Sequence, residues 1–234
     1  MRQIFLDTET TGLNAEGGDR IVEIGCVEMV GRRLTGEQRH FYLNPQRASH
    51  PDALRVHGLT DEFLADKPLF EAVADDLMAF LAGAELVIHN ASFDLGFLDE
   101  ELRRIGRPRV AEVVAQITDS LLMAREMYPG KSNSLDALCR RLDVDNANRS
   151  FHGALLDAGL LAEVYIGMTR GQGSLVIEES EAQDAGGSVE AVDLSAFDLP
   201  LTPPSEAEMQ AHRALLADIE KASSGRLLWQ ADLA

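Results

Sequence analysis

A chain of 234 residues, 45% of them hydrophobic, has room for one substantial domain with an appendage and is short for two full ones. A net charge of −18 excludes a generic nucleic-acid binder, which would be basic. No stretch approaches the ~20 consecutive apolar residues of a membrane span, so no membrane partner is expected. The two cysteines, Cys26 and Cys139, each sit inside an apolar pattern, so they read as small buried hydrophobes in a reducing cytoplasm rather than as a disulfide framework. Met1-Arg2-Gln3 leads directly into a strand-like segment with no apolar signal region, which also fits a cytoplasmic protein. Half of the acidic excess falls after residue 170. If the chain handles nucleic acid, a partner is expected to supply most of the phosphate attraction.

The first 45 residues predict three strands, at 3–9, 20–30 and 34–43. The turns between them are short, as in an antiparallel meander. Helical spacing follows: Pro68 leads Phe70, Val73, Leu77, Phe80 and Leu81 along one face, closed by Gly83. A strand at 85–89 precedes Ser92, which is placed to cap a helix running to Ile105. Further helices are predicted at 119–127, ended by Pro129-Gly130, at 134–142 and at 153–168. Strands first and alternation later indicate an α/β fold whose sheet has mixed strand directions, flanked by helices. After Gly171 the texture changes. Residues 171–203 are rich in Gly, Ser, Glu, Asp and Pro and read as a flexible acidic linker. A helical pattern at 205–222 places Met209, Leu216 and Ile219 on one side, and Leu227-Leu228-Trp229 follows Gly225. No internal repeat is visible.

Asp7 and Glu9 are two apart in a strand, so their carboxylates project from one face at its C-terminal end, where open α/β sheets bind ligands. The apolar run Ile4-Phe5-Leu6 places them beside a core, where they repel each other unless a cation joins them. Asp94 lies in the first turn of a helix, where an acid also serves the helix dipole. Asp157 lies on or next to the apolar stripe of the last domain helix, with Leu156, Leu160 and Leu161 as inward candidates. His152 stands five residues earlier, at the helix start. Four converging carboxylates suit hard cations such as Mg²⁺ or Mn²⁺, and a neutral imidazole beside them suits a general base. Zinc fits poorly, because no Cys/His pair has ligand spacing.

Asp7-Thr8-Glu9-Thr10-Thr11-Gly12, His89-Asn90-Ala91-Ser92-Phe93-Asp94 and His152-Gly153-Ala154-Leu155-Leu156-Asp157 resemble the three exonuclease motifs of the DEDD superfamily, histidine subclass. The likeness extends through Val56-His57-Gly58-Leu59-Thr60-Asp61-Glu62-Phe63, Thr118-Asp119-Ser120-Leu121 and Pro129-Gly130-Lys131-Ser132-Asn133-Ser134-Leu135-Asp136-Ala137-Leu138. It is similar, within that superfamily, to the epsilon-subunit family of bacterial DNA polymerase III, closely over residues 2–170 and loosely in the tail. The resemblance implies an RNase H-like fold and a proofreading 3′→5′ exonuclease that releases 5′-monophosphates from a DNA 3′ end. It implies two divalent cations, Mg²⁺ or Mn²⁺, bridged by Asp7. Glu9 and Asp157 would hold the ion on the side of the attacking water, Asp94 would position the second, and His152 would act as general base. Asp7, Glu9 and Asp157 would thereby also meet the substrate, with Asp52 and His57 touching the terminal nucleotide. Relatives often carry Glu where this chain has Asp52.

RNA-trimming exonucleases of the same subclass use the same five residues, and an adaptor with a merely structural exonuclease domain is a third reading. An acidic extension ending in Leu-Leu-Trp favours the polymerase subunit over the first, and the intact set of five disfavours the second. On this reading, residues 1–170 form the exonuclease domain. In the linker at 171–203, Gln172, Leu175 and Ile177 resemble a sliding-clamp docking peptide, with Ile177 where an aromatic residue or Leu is usual. Residues 204–234 form the tail that binds the polymerase alpha subunit, with Leu228 and Trp229 as anchors.

Overall fold

The computed structural model describes residues 1–146, 152–170 and 203–223. The chain divides into two units, Met1–Ile177 and Glu178–Ala234. In the first, strands β1 (Arg2–Thr10), β2 (Ile21–Val30) and β3 (Arg33–Tyr42) form the antiparallel meander, with the tight turn at Gly31-Arg32 held by positive φ at both residues. Strand β4 (Glu85–Ile88) then adds parallel to β1, and β5 (Gln116–Asp119) parallel to β4. The sheet order is β3-β2-β1-β4-β5, so β1 is central and has one neighbour of each direction.

The sheet is covered on both faces because β1 is apolar on both. Ile4 and Leu6 point into one core with α3 (Phe70–Leu81) and α4 (Ala91–Arg104). Phe5, between them, points into the other with α5 (Ser120–Met127), α6 (Leu135–Leu142) and α7 (Ala154–Met168). Asp7 and Glu9 continue the Phe5 series, so they stand on the face that α7 covers. Both cysteines are buried, one in each core.

The structure departs from the periodicity in four places. Helices α1 (Pro51–His57) and α2 (Asp61–Leu64) were not expected, since each buries a single side chain and so carries no apolar stripe. Ser92 is not a cap. It is an exposed residue inside α4, and Asn90 takes the cap position in the left-handed conformation, φ 70°. Strand β5 is not predicted; it ends at Asp119, the first residue of the predicted helix, and Asp119 caps α5 by accepting from the amides of Leu121 and Leu122. Leu156 is exposed rather than inward, while the neighbouring Asp157 is buried.

The second unit contributes α8 (Glu206–Ala222), opened by a reciprocal cap between Ser205 and Glu208. It buries no residue, and Leu215 and Ile219 are 59% and 44% exposed. No helix among the described residues is long and apolar enough to cross a membrane.

Candidate active site

Three elements bring the acids together. Asp7 and Glu9 come from the C-terminal end of β1, Asp94 from the first turn of α4, and Asp157 from the first turn of α7. Helix α7 reaches the strand because Gly25 of β2, paired with Asp7, has no side chain. A Cβ there would stand 2.2 Å from the backbone nitrogen of Leu155. The close approach of helix backbone to sheet thus sets the depth at which Asp157 lies.

Asp94 is placed by a different device. The amides of Asn90 and Ala91 donate to the Asp119 carboxylate at 3.3 and 3.0 Å, fixing the left-handed turn that starts α4. One carboxylate therefore orients the starts of two helices. The hydroxyl of Thr8, on the opposite side of β1 from Asp7 and Glu9, donates to Asp94 Oδ1 at 2.7 Å.

Asp7, Glu9, Asp94, His152 and Asp157 all line one cleft of about 270 Å³. One ligand atom each from Glu9, His152 and Asp157 lie within 4.8 Å of one another. The imidazole Nδ1 of His152 is 3.2 Å from Asp157 Oδ2, and the ring is 45% exposed, against 4% for its carboxylate neighbour. Burial pushes the Asp94 carboxyl up to about 7, the Thr8 hydrogen bond opposing it. An acid so shifted is only partly ionised near neutral pH, and a cation among the four carboxylates would favour its ionised form. The donor set, oxygen-rich with one imidazole, fits a hard divalent cation.

A second cavity, about 550 Å³, shares Thr8, Glu9 and Phe93 with this cleft and is also lined by Asp52 and His57. His57 is buried, and its Nδ1 accepts from the amide of Leu59 at 3.0 Å, which assigns the proton to Nε2. Burial holds its pKa below the ordinary value, so the ring is neutral. Asp52 is exposed and pairs with Arg55 on its own helix.

Sequence reasoning missed Asp19. Its carboxylate pins the loop after β1, accepting from the Thr11 hydroxyl at 3.1 Å and the Asn14 amide at 3.0 Å. The loop is so tight that a Cβ at Gly12 would lie 2.4 Å from Asp19 Oδ2. Asp136, inside the stretch at 129–138, also lines the cleft that holds the four acids and His152. Its position one turn into α6 is the same first-turn signal that marked Asp94.

Residues 4–165 match the exonuclease family model, RNase T type. The DNA polymerase III subunit epsilon of Pasteurella multocida is 50% identical over 241 residues, covering 100% of this chain and 95% of that protein. That of Escherichia coli K12 is 48% identical, covering 98% of each. The chain belongs to the DNA polymerase III epsilon-subunit family.

This epsilon-family chain is a proofreading 3′→5′ exonuclease. Among solved structures, exonuclease X in complex with 5′ overhanging duplex DNA superposes with a TM-score of 0.56 at 26% identity, over 71% of this chain and 90% of that one. The zinc-bound form of the E. coli exonuclease I complex with single-stranded DNA has a TM-score of 0.65 at 19% identity, over 73% of this chain and 41% of that one, which speaks to fold alone. The mixed sheet flanked by helices is the RNase H-like arrangement expected from the motifs. The residues proposed for the clamp and the polymerase, Gln172, Leu175, Ile177, Leu228 and Trp229, lie outside the described residues.

Proposed function

We propose that this family member trims mismatched 3′ ends of DNA as 5′-monophosphates, that Asp7, Glu9, Asp94 and Asp157 hold two divalent cations, Mg²⁺ or Mn²⁺, and that His152 is the general base. The observation that carries the proposal is the convergence of these five side chains on one cleft. When bound, the ions stabilise the charge that develops in an in-line displacement at phosphorus. Asp7 would serve both ions, Glu9 and Asp157 would hold one, and Asp94 would help to hold the other.

His152 is the most exposed of the five by its side chain's position at the helix start, so water reaches it. Its Nδ1 lies against Asp157 Oδ2, and that carboxylate orients the ring and stabilises the imidazolium formed when the base takes the water's proton. The neutral His57, with its donor at Nε2, and Asp52 contact the terminal nucleotide in the adjoining cavity, whose apolar wall includes Leu13, Val56 and Phe93. Polymerase attachment is assigned to residues 204–234, through the alpha subunit, with Leu228 and Trp229 as anchors. The relatives are named as polymerase III subunits, and the exposed Leu215 and Ile219 of α8 leave apolar surface to cover. The clamp is assigned to Gln172, Leu175 and Ile177.

Purified protein given a primer with a 3′ mismatch, beside an RNA of the same sequence, tests the proposal. Faster release of deoxynucleoside 5′-monophosphates from DNA is expected. Preference for RNA would overturn the assignment of substrate.

A further inference from the structure

Three cavities of the first unit lie in series, joined by shared walls. The nucleotide cavity shares Thr8, Glu9 and Phe93 with the catalytic cleft. On its other side the cleft shares His89 and Ser134 with a third cavity of about 500 Å³, between α5 and the start of α6. The two outer cavities differ in charge. The first is lined by Glu9, Asp19 and Asp52 and by no lysine or arginine. The third is lined by Arg125 and Lys131 and by no carboxylate.

These two cations stand together in one cavity of a chain whose net charge is −18. Several other arginines are neutralised, Arg20 by Glu101, Arg39 by Asp76, Arg47 by Asp19 and Arg107 by Asp75, while the exposed Arg33 and Arg170, unpaired among the described residues, line none of the three cavities. Arg125 and Lys131 are exposed and form no ion pair among the described residues. Leaving two positive charges uncompensated in the one cavity beside the cleft that lacks acids creates a local attraction for anions that the molecule as a whole repels.

We propose that this third cavity holds the sugar–phosphate backbone of the strand upstream of the scissile bond, with Arg125 and Lys131 each meeting a phosphate. The inference rests on the exonuclease reading and gives the strand its direction. A terminal nucleotide brings a base and sugar to bury, and its own phosphate is the one cut, so it suits the acidic, apolar first cavity. Every nucleotide before it brings a further negative phosphate, for which the first cavity offers no lysine or arginine in its lining and the third offers two. Contact through phosphates alone carries no sequence information, as removal of any mismatch requires.

The test compares two substrates of one enzyme. A single-stranded DNA oligonucleotide reaches all three cavities. The p-nitrophenyl ester of thymidine 5′-monophosphate has one nucleoside and one scissile phosphate and stops at the cleft. For Arg125→Gln/Lys131→Gln, kcat/KM on the oligonucleotide is expected to fall about tenfold relative to that on the ester. The slope of log kcat/KM against log salt on the oligonucleotide should flatten by about 1.4, the value for two single-strand phosphate contacts. The charge-matched Arg33→Gln/Arg170→Gln control should keep the wild-type slope. Equal losses on both substrates, or an unchanged slope, would overturn the upstream site while leaving the exonuclease reading standing. A wild-type protein that cut the ester but no oligonucleotide would overturn both.

Discussion

Single side chains carry the chemistry, and their contributions are separable. His152→Ala should slow excision roughly 10²–10⁴-fold at neutral pH and recover part of the loss as hydroxide concentration rises, because only the base is missing. Its Mn²⁺ affinity, measured by calorimetry, should stay near wild type; collapse of affinity would make the histidine a ligand instead. His57 gives a pH signature. Its folded pKa is depressed by burial, so the unfolded chain binds a proton first as pH falls below about 6.5. The stability tied to neutral His57 is therefore fully present above that pH and is lost on acidification. His57→Gln should show a shallower fall in Tm between pH 6.5 and 5 than wild type; parallel curves would mean the ring is not held neutral. The five proposed site positions were legible as a set, through three motifs in order, although Asp94 alone reads as a first-turn acid serving the helix dipole. Asp19 and Asp119 were not, since each works by accepting amides from residues that only the turns bring near.

The elements that hold these residues were readable in proportion to how much apolar surface they bury. Helices α3 and α6 followed from their stripes and closing residues, and the meander from its short turns. Helices α1 and α2 and strand β5 bury too little to leave a pattern, although α1 carries both Asp52 and His57. The position of α7 relative to β1 was equally hidden, because it depends on an absent side chain at Gly25. Gly25→Ala would drive a methyl group into the backbone of Ala154 and Leu155, at 2.3 and 2.2 Å, and the helix must move. A displacement near 1 Å of Asp157 is expected to cost about 10²-fold in excision rate. The accompanying loss of stability should be about 1–3 kcal/mol by denaturant titration. A folded Gly25→Ala protein with full activity would show that helix depth does not set the site.

At the scale of the whole molecule, an acidic protein that acts on an acidic polymer would need locally placed positive charge and bound cations to offset its net charge of −18. Metal binding is coupled to folding: Mn²⁺ at about a hundred times its Kd should stabilise the protein by about 2.7 kcal/mol, and chelation should remove the gain. If residues 204–234 are the polymerase anchor, a protein ending at residue 171 should keep its Tm, degrade free single strands normally and fail to co-purify with the alpha subunit. Retained binding, or unfolding of the shortened chain, would contradict that division of labour. On the proposed reading, four acids and their cations perform the cut. Its most direct measurement is the single-turnover rate at which Asp7→Ala, beside wild type and with Mn²⁺ present, releases the 3′ nucleotide of a mismatched DNA primer. A rate below about a hundredth of wild type is expected, in a protein that is still folded. A rate near wild type would contradict it.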